Sequence, residues 1–495
     1  MKYPNIIFFR YEKYSYIDLF FEDKNLLCSL QFTSEKKALN NLFDPNYHIL
    51  ITFGESDAEY CTDVYSEIPT RMNHKWIHFK DITNIDDFNR GVNFCYINNI
   101  NYINSQKEIT RVTFSIFTTC YNSYDKIYLA YNSIKNQTFK DWEWVILDDS
   151  PNDEHFEFLK KLTTDKRIRL YKRSENSGNI GNVKNETVSL CRGKYVLELD
   201  HDDEILPCVL ADSVKVFDDE NVGFIYMNFT NIYENGANFN YGNFFGLGYE
   251  GYYMEKYKGR WIYVASSANI NNITLSHIVS VPNHPRIWRM KTLMQMGNYS
   301  EFLPICDDYE LLLRTAINTK MVKINKLGYV QYMNNNNNNF SLIRNSEINR
   351  LCPHHLFPQC YKDYKINDKM KELDAYDDPK YTWGLPGCSQ VWKRHDYVMK
   401  YCNDLISPDY TKIYCIIGAE YLNIDRISEL YKDIKNDFLV LDNKCTNEEL
   451  CKIIDDFGFS RMKCYSMTDC STKELENYFH LIYKSLDQFE IIGSI

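Results

Sequence analysis

Three carboxylates fall within four positions at Asp200-His201-Asp202-Asp203, directly after the apolar run of Tyr195, Val196, Leu197 and Leu199. That aromatic and aliphatic run reads as a buried strand that delivers Asp200 and Asp202 at its carboxyl end, ahead of Pro207. Two carboxylates one residue apart at a strand end can share a hard divalent cation, which can in turn hold a diphosphate. The plainer reading is a solvated acidic turn. A second acidic pair, Asp307-Asp308, precedes Leu311, Leu312 and Ala316, which begin a buried helix. Both acids then lie near the positive end of that helix, where a carboxylate stays ionised and can take a proton from a hydroxyl group. The same position also suits plain helix capping. Just upstream, residues 282–289 contain His284, Arg286 and Arg289. Either arginine can grip a departing diphosphate, and His284 can touch an acceptor or a phosphate. Surface charge and a packed histidine are the competing readings.

Each of these groups needs an element to carry it. Residues 111–119 read as a strand that ends in small and polar side chains, Thr119, Cys120, Tyr121 and Asn122. Ser123 or Asp125 can cap the following helix, whose Ile127, Ala130, Tyr131 and Ile134 share one face. Residues 142–147 form a second buried strand that ends in Asp148 and Asp149; 156–162 is a helix and 168–171 a strand. A Gly/Asn loop over 176–185, with Gly178, Gly181, Lys184 and Asn185, feeds a helix to Leu190, and the strand before Asp200 follows. This alternation predicts a mostly parallel sheet covered on both faces. Ligands of such sheets sit outside the carboxyl ends of the strands. Thr119 with Tyr121, Asp149, and Asp200 with Asp202 all fall there, so three strand ends converge on one predicted nucleotide-binding face.

On both sides of this region the chain reads as smaller α/β units. Residues 1–108 alternate strand-like runs at 5–9, 16–21, 26–32, 48–53 and 76–79 with helical patterns, and hold no constellation suited to chemistry. The central domain takes 109–350. Residues 367–495 follow with strands at 412–417, 438–441 and 462–465, and helices at 427–434, 448–457 and 473–486. An ordered loop is expected at 378–394. Cys352, His354, His355 and Cys360 match no common zinc spacing.

The 495 residues suffice for two to four domains of about 150 residues each. A hydrophobic content of 44% and a charged content of 25% are those of a globular protein with real cores. A net charge of −11 argues against nucleic-acid binding through a general basic field. No window reaches the roughly 18 apolar residues of a transmembrane segment, and the amino-terminal apolar stretch is too short for a signal peptide. Sixteen scattered cysteines fit free thiols in a reducing compartment. A cytoplasmic protein, at most peripheral to a membrane, is expected.

On these residues, the stretch 111–345 resembles a family 2 glycosyltransferase of GT-A fold in order and spacing. Residues 115–122 are similar to the family's opening strand, 136–150 to its second strand, and 176–185 to its loop with a basic residue before Asn. Residues 200–202 resemble its Asp-X-Asp metal motif, and 304–314 its Glu-Asp-X-Asp-Leu segment. The resemblance implies a GT-A, Rossmann-like central domain with a mostly parallel sheet, flanked by two smaller α/β domains. It implies that Thr119, Tyr121, Asp149, Lys184, Asn185, Asp200, and Arg286 or Arg289 contact the donor. Tyr121 would stack on the base and Asp149 would accept the imide N–H of uracil or thymine. Asp202 is the implied direct ligand of Mn²⁺ or Mg²⁺, with Asp200 nearer the ribose, and Asp308 stands where inverting members keep their general base. His284 is placed on the acceptor side, as is Trp261, from an aromatic-rich stretch over 235–261 suited to stacking on sugars. Two departures stand out. Lys184 occupies a position where Arg is common, and Lys is the less bidentate phosphate partner. The region 329–341, where the family often carries a metal-binding His, has none and holds an Asn run at 334–339.

The expectation is inverting, metal-dependent transfer of a sugar from a nucleoside-diphosphate sugar, UDP-sugar ahead of dTDP-sugar. The acceptor would be a hydroxyl of a glycan, a lipid-linked sugar or a protein. The rivals are a nucleotidyltransferase of nucleotide-sugar metabolism, which releases pyrophosphate, and a catalytically silent sugar-binding module.

Overall fold

The computed structural model describes residues 5–96 apart from 25, 27, 44–46, 69–71, 73–74 and 94, then 112–240 and 251–333 apart from 269 and 278–280, followed by 343–373, 375–376, 405–406, 412–482 and 489–493. The Asn run at 334–339, the aromatic residues Tyr241, Phe244, Phe245 and Tyr249, and the loop at 378–394 lie outside these residues. Strands β1 (Asn5–Phe9), β2 (Ser29–Thr33), β3 (Tyr47–Phe53) and β4 (Trp76–Phe79) form a parallel sheet in the order β2-β1-β3-β4. The helix Ala58–Glu67 adds Tyr60 and Val64 to its core. Residues 16–21, expected as a strand, contain a short helix over Ile17–Phe21. Ile17 and Phe21 are buried while Leu19 between them is 67% exposed, which is the four-residue spacing of a helix.

The central sheet begins as the alternation predicts. Strands β5 (Val112–Cys120), β6 (Trp142–Asp148), β7 (Ile168–Lys172) and β8 (Gly193–Glu198) lie parallel in the order β8-β5-β6-β7. Gly193 is required where β8 meets β5, because a Cβ there would stand 2.3 Å from the Ser115 backbone nitrogen. Beyond β8 the sheet becomes mixed, which the alternation did not predict. The short β9 (Glu204–Ile205) and the long β10 (Val222–Tyr233) come next in the chain, then a hairpin of β11 (Tyr252–Tyr257) and β12 (Arg260–Ala265). Strand β13 (Arg286–Arg289) lies antiparallel between β8 and β10, and β10 runs parallel to β14 (Lys320–Met333) along almost its whole length. Strand β14 also pairs with β9 and with β15 (Leu405–Ile406).

The last strands, β16 (Lys412–Ile417), β17 (Asn436–Asp442), β18 (Lys463–Ser466) and β19 (Phe489–Gly493), are parallel in the order β19-β16-β17-β18. Strand β18 joins β11 at the Cys464–Met254 pair, so these strands continue the central sheet. Asp455 fastens the same junction, accepting from Trp261 Nε1 at 3.0 Å and from Lys256 at 2.6 Å. Cys306 forms a disulfide with Cys352, a departure from the expectation of free thiols; the other described cysteines form no disulfide. Among the described residues, no helix is long and apolar enough to cross a membrane.

One buried carboxylate ties the amino ends of four strands together. Glu143 of β6 accepts from Ser115 Oγ of β5 at 2.7 Å, from the Arg192 backbone N–H before β8 at 2.7 Å, and from the Arg192 and Arg169 guanidinium groups. Burial opposes its ionisation, but Ser115, Arg192 and Arg169 hold its carboxyl below the ordinary range. This stabilisation is complete above the ordinary carboxylate pKa and is lost as pH falls through the depressed one. Glu143→Ala is expected to cost about 3 kcal/mol at pH 7, with a deficit that shrinks towards acid pH. Thermal melting across pH 3–7 checks this, and an unchanged melting temperature at neutral pH would remove Glu143 from this role.

Candidate active site

Strand alternation places Glu198 and Asp200 on one face, while Leu197 and Leu199 point into the core. The acid turn after β8 is then divided by its partners. Asp203 is buried and accepts from Tyr329 Oη at 2.9 Å and from the Tyr332 backbone N–H at 2.8 Å, both on β14. Glu204 accepts from Tyr257, from Lys258 at 2.7 Å and from Tyr332 Oη at 3.0 Å. Asp200 and Asp202 lie between these anchored acids and the end of β8. The Asp200 backbone N–H donates to Tyr329 Oη at 3.2 Å, and no described residue donates to its carboxylate. Burial pushes the Asp202 carboxyl up, and its neighbour Asp200 pushes the same way. Two oxygen donors with unfavourable mutual charge suit a hard dication.

Behind this turn lies a knot of buried charge. Glu198 Oε1 is 2.9 Å from Lys184 Nζ, which also reaches Asp307 Oδ2 at 3.2 Å. Glu198 Oε2 is 3.5 Å from Arg286 Nη1, which donates to Asp308 Oδ2 at 2.9 Å. Burial works against the Glu198 and Asp308 charges. Even so, Lys184, His284 and Arg286 hold Glu198 well below its ordinary pKa, and Arg286 and Lys184 hold Asp308 below its own. Asp307 behaves differently: burial, reinforced by Asp308 and Glu198, pushes its carboxyl up to about 6 despite Lys184. Both acids open the helix Asp307–Asn318, and the Asp308 side chain retains 22% exposure against 6% for Asp307.

The other polar strand ends form a second group. Tyr121 is 54% exposed after β5, and Thr119 is half-buried at the end of that strand. Asp149, after β6, accepts from the Ser177 backbone N–H at 2.9 Å and from Asn176 Nδ2 at 2.8 Å. A cleft of about 350 Å³ opens beside them, lined by Arg173, Asn176, Ser177, Asn179, Asn182 and Glu301. Ser123, expected as a cap, instead contacts His155 Nε2 at 2.9 Å, while His155 Nδ1 meets Asp148 at 2.8 Å. Ser123 and Tyr124 donate backbone N–H groups to the same Nε2, so the proton sits on Nδ1. This Ser–His–Asp set is buried and holds the Tyr121 loop against β6.

The other expected site residues have partners within the protein. Asn185 is buried and staples its helix to the 299–301 loop, exchanging hydrogen bonds with the Tyr299 backbone and donating to Glu301. Lys184 and Arg286 are buried and paired with carboxylates, Lys184 with Glu198 and Asp307 and Arg286 with Glu198 and Asp308. Arg289 pairs in register with Tyr195 at the far end of β8, and its guanidinium donates to the carbonyls of Val222, Phe217 and Asp219. Trp261 faces the carboxyl-terminal unit, held by Asp455. His284 is buried, stacked on Tyr329 at 4.9 Å with Nε2 at 3.4 Å from Glu198. Glu198 was missed, although an acid inside the apolar run before Asp200 was a visible signal.

Residues 115–275 match the family model "Glycosyl transferase family 2". Over this segment the chain therefore carries a glycosyltransferase family 2 match, set in a mixed α/β structure with a mostly parallel sheet. A UDP-Glc:alpha-D-GlcNAc-diphosphoundecaprenol beta-1,3-glucosyltransferase, WfaP, of Escherichia coli is 29% identical over 136 residues, covering 26% of this chain and 53% of that protein. A chondroitin synthase of Pasteurella multocida is 23% identical and covers 67% of this chain and 34% of its own length. An uncharacterized glycosyltransferase, MJ1057, of Methanocaldococcus jannaschii is 29% identical, covering 56% of this chain and 86% of that protein. The chain thus spans about half of the first of these relatives and about a third of the second.

Tyr329 links the acid turn to β14 through a single hydroxyl. Tyr329→Phe removes the partner of Asp200 N–H and leaves the buried Asp203 carboxylate one donor short. A loss of about 1–3 kcal/mol is expected, read as a lower urea midpoint; a midpoint equal to that of the unchanged chain would mean that the Tyr329 hydroxyl does not support the turn.

Proposed function

We propose that the chain transfers a sugar from a nucleoside-diphosphate sugar, UDP-sugar first, to an acceptor hydroxyl with inversion at the anomeric carbon. The observation that carries this reading is the short path between the acid turn and the second acidic pair. Asp200 stands within 4.8 Å of Glu198, Glu198 contacts Arg286, and Arg286 holds Asp308. One ion pair therefore separates the acids suited to a diphosphate-bound cation from the carboxylate suited to a base. The family match and the UDP-Glc in the name of the Escherichia coli relative support the donor class.

In this reading Tyr121 stacks on the base, and Asp149, already fixed by Ser177 and Asn176, presents its remaining acceptor capacity to the imide N–H. Asp200 and Asp202 would hold Mn²⁺ or Mg²⁺, with Asp200 on the ribose side. The bound cation would withdraw charge from the leaving diphosphate. Asp308 is ionised and reachable, and takes the proton from the acceptor hydroxyl as its oxygen attacks from the face opposite the diphosphate. Arg286 orients Asp308. The acceptor is a hydroxyl on a glycan, a lipid-linked sugar or a protein.

A screen of nucleotide sugars with and without Mn²⁺, reading nucleoside diphosphate against pyrophosphate, tests the reading. Release of UDP is expected; pyrophosphate would identify a nucleotidyltransferase, and no turnover of any donor a silent module. Asp308→Asn is expected to lower kcat by about 10²–10⁴-fold while UDP binding is retained. Full activity in that variant would remove Asp308 as the base.

A further inference from the structure

We infer that His155 is a positioning residue for the base end of the donor site. Its accepting ring nitrogen pins the loop that carries Tyr121, and affinity for the donor nucleoside passes through that contact. The inference rests on the transfer reading for what Tyr121 meets, and on the geometry of the loop for the part played by His155.

The Tyr121 ring does not hold itself in place. It is 54% exposed, and among the described residues no hydrogen bond or ring contact fixes it. Its backbone alone decides where it stands. Next to it, Asn122 and Tyr124 occupy the left-handed region at φ 48° and 41°. Residues other than glycine stay there only where their surroundings hold them. Those surroundings are His155 and one hydroxyl beside it. The Ser123 and Tyr124 backbone N–H groups donate to His155 Nε2 at 3.0 and 3.2 Å, and Ser123 Oγ stands 2.9 Å from the same nitrogen. The Asn122 N–H donates to Ser150 Oγ at 2.9 Å, and that oxygen lies 2.9 Å from His155 Nδ1. All three backbone donors of residues 122–124 therefore end on this pair.

His155 is itself fixed as an acceptor towards the loop. Its Nδ1–H donates to Asp148 Oδ1 at 2.8 Å, which leaves Nε2 as the accepting nitrogen. Lys172 Nζ stands 3.6 Å from Asp148 Oδ2, a cation that favours the charged carboxylate. The ring is fully buried, and Tyr124 closes over it edge-on at 5.0 Å. The same contacts reach the other residue assigned to the base. Asp148 and Ser150 flank Asp149, whose N–H donates to the Cys120 carbonyl at 2.9 Å. His155 thus clips together the ends of β5 and β6. Among the described residues its polar partners all belong to these two strand ends and the turns after them, so its influence falls on the nucleoside end of a donor.

The test uses the full chain and UDP as the probe, with Mn²⁺ present and calorimetry as the readout. His155→Leu fills the space of the ring without an acceptor and should weaken UDP binding by more than about tenfold. His155→Gln returns an acceptor near the place of Nε2 and should bind UDP within about threefold of the unmodified chain. His155→Asn keeps a donor for Asp148 but offers the loop no acceptor; it should match His155→Leu, and replaces it where that variant does not fold. Tyr121→Ala should weaken binding by itself. Adding His155→Leu to Tyr121→Ala should cost less than about threefold more, because both changes remove one contact. Additive losses in that pair, or UDP bound equally well by a folded His155→Leu or His155→Asn chain, overturn this inference alone. An unmodified chain that binds no UDP overturns the transfer reading and this inference with it.

Discussion

The central domain is organised around one buried ionic knot. Glu198, Asp307 and Asp308 share Lys184 and Arg286, and all but Asp308 are almost without water. Removing such charges from water costs several kcal/mol each, and only close pairing recovers it. The five groups come from β8, the helix Ile180–Leu190, β13 and the helix Asp307–Asn318, so the pairing fixes four elements against one another. Displacing any one of them strands a charge. The Asn185 staple to Tyr299 and the close approach at Gly181, where a Cβ would meet the Ser300 carbonyl at 2.0 Å, act on the same contact. The Asp200 turn and the Asp308 carboxylate are the two outward edges of this knot, which explains how residues 108 positions apart keep a fixed relation.

Much of the central sheet was legible because its strands and helices alternate locally. Strands β5 to β8 each carry an apolar run with a polar end, and the helices between them repeat at helical spacing. The second half was not legible. Strands β10 and β14 pair with each other over nearly 100 residues of separation, and β13 inserts antiparallel between β8 and β10. Nothing in a local period encodes such pairings. The candidate site divides in the same way. Tyr121, Asp149, Asp200 and Asp202 were visible as polar residues where strands end. Lys184, Asn185 and Arg286 were visible as residue types but their protein partners were not, because those partners lie 14 to 123 residues away. Arg286 and Arg289 stand three apart on one strand, so strand alternation allows only one of them to face the knot.

The acid turn also anchors structure outside the central sheet. Glu204 grips Tyr257 and Lys258 at the tip of the β11–β12 hairpin, and Tyr332 on β14. The same hairpin pairs with β18 and is fastened by Asp455 to the carboxyl-terminal unit. A continuous set of backbone pairs and charged contacts therefore runs from that unit to the residue next to Asp203. The aromatic stretch read as an acceptor flap thus includes, at Tyr257 and Trp261, residues whose contacts are structural. Their rings hold a hairpin in place, and the polar tip of each has a carboxylate partner.

The two adjacent acids at the helix start show how the knot distributes protons. Asp307 faces inward to Lys184, and burial pushes its carboxyl up to about 6, so its charge is the costly one. Asp308 meets Arg286 and the Tyr309 backbone N–H, and stays ionised below the ordinary range. A pair this close titrates as a unit, and the first proton leaves from the Asp308 side. The proposed base is therefore the acid that is both charged and open to solvent. A carboxylate held low is a reluctant proton acceptor, and protonating it would leave Arg286 buried without a counter-charge. Glu198 Oε2, 3.5 Å from the same guanidinium nitrogen, prevents that. Because Glu198 keeps Arg286 paired when Asp308 becomes neutral, the proton can arrive without stranding a buried cation.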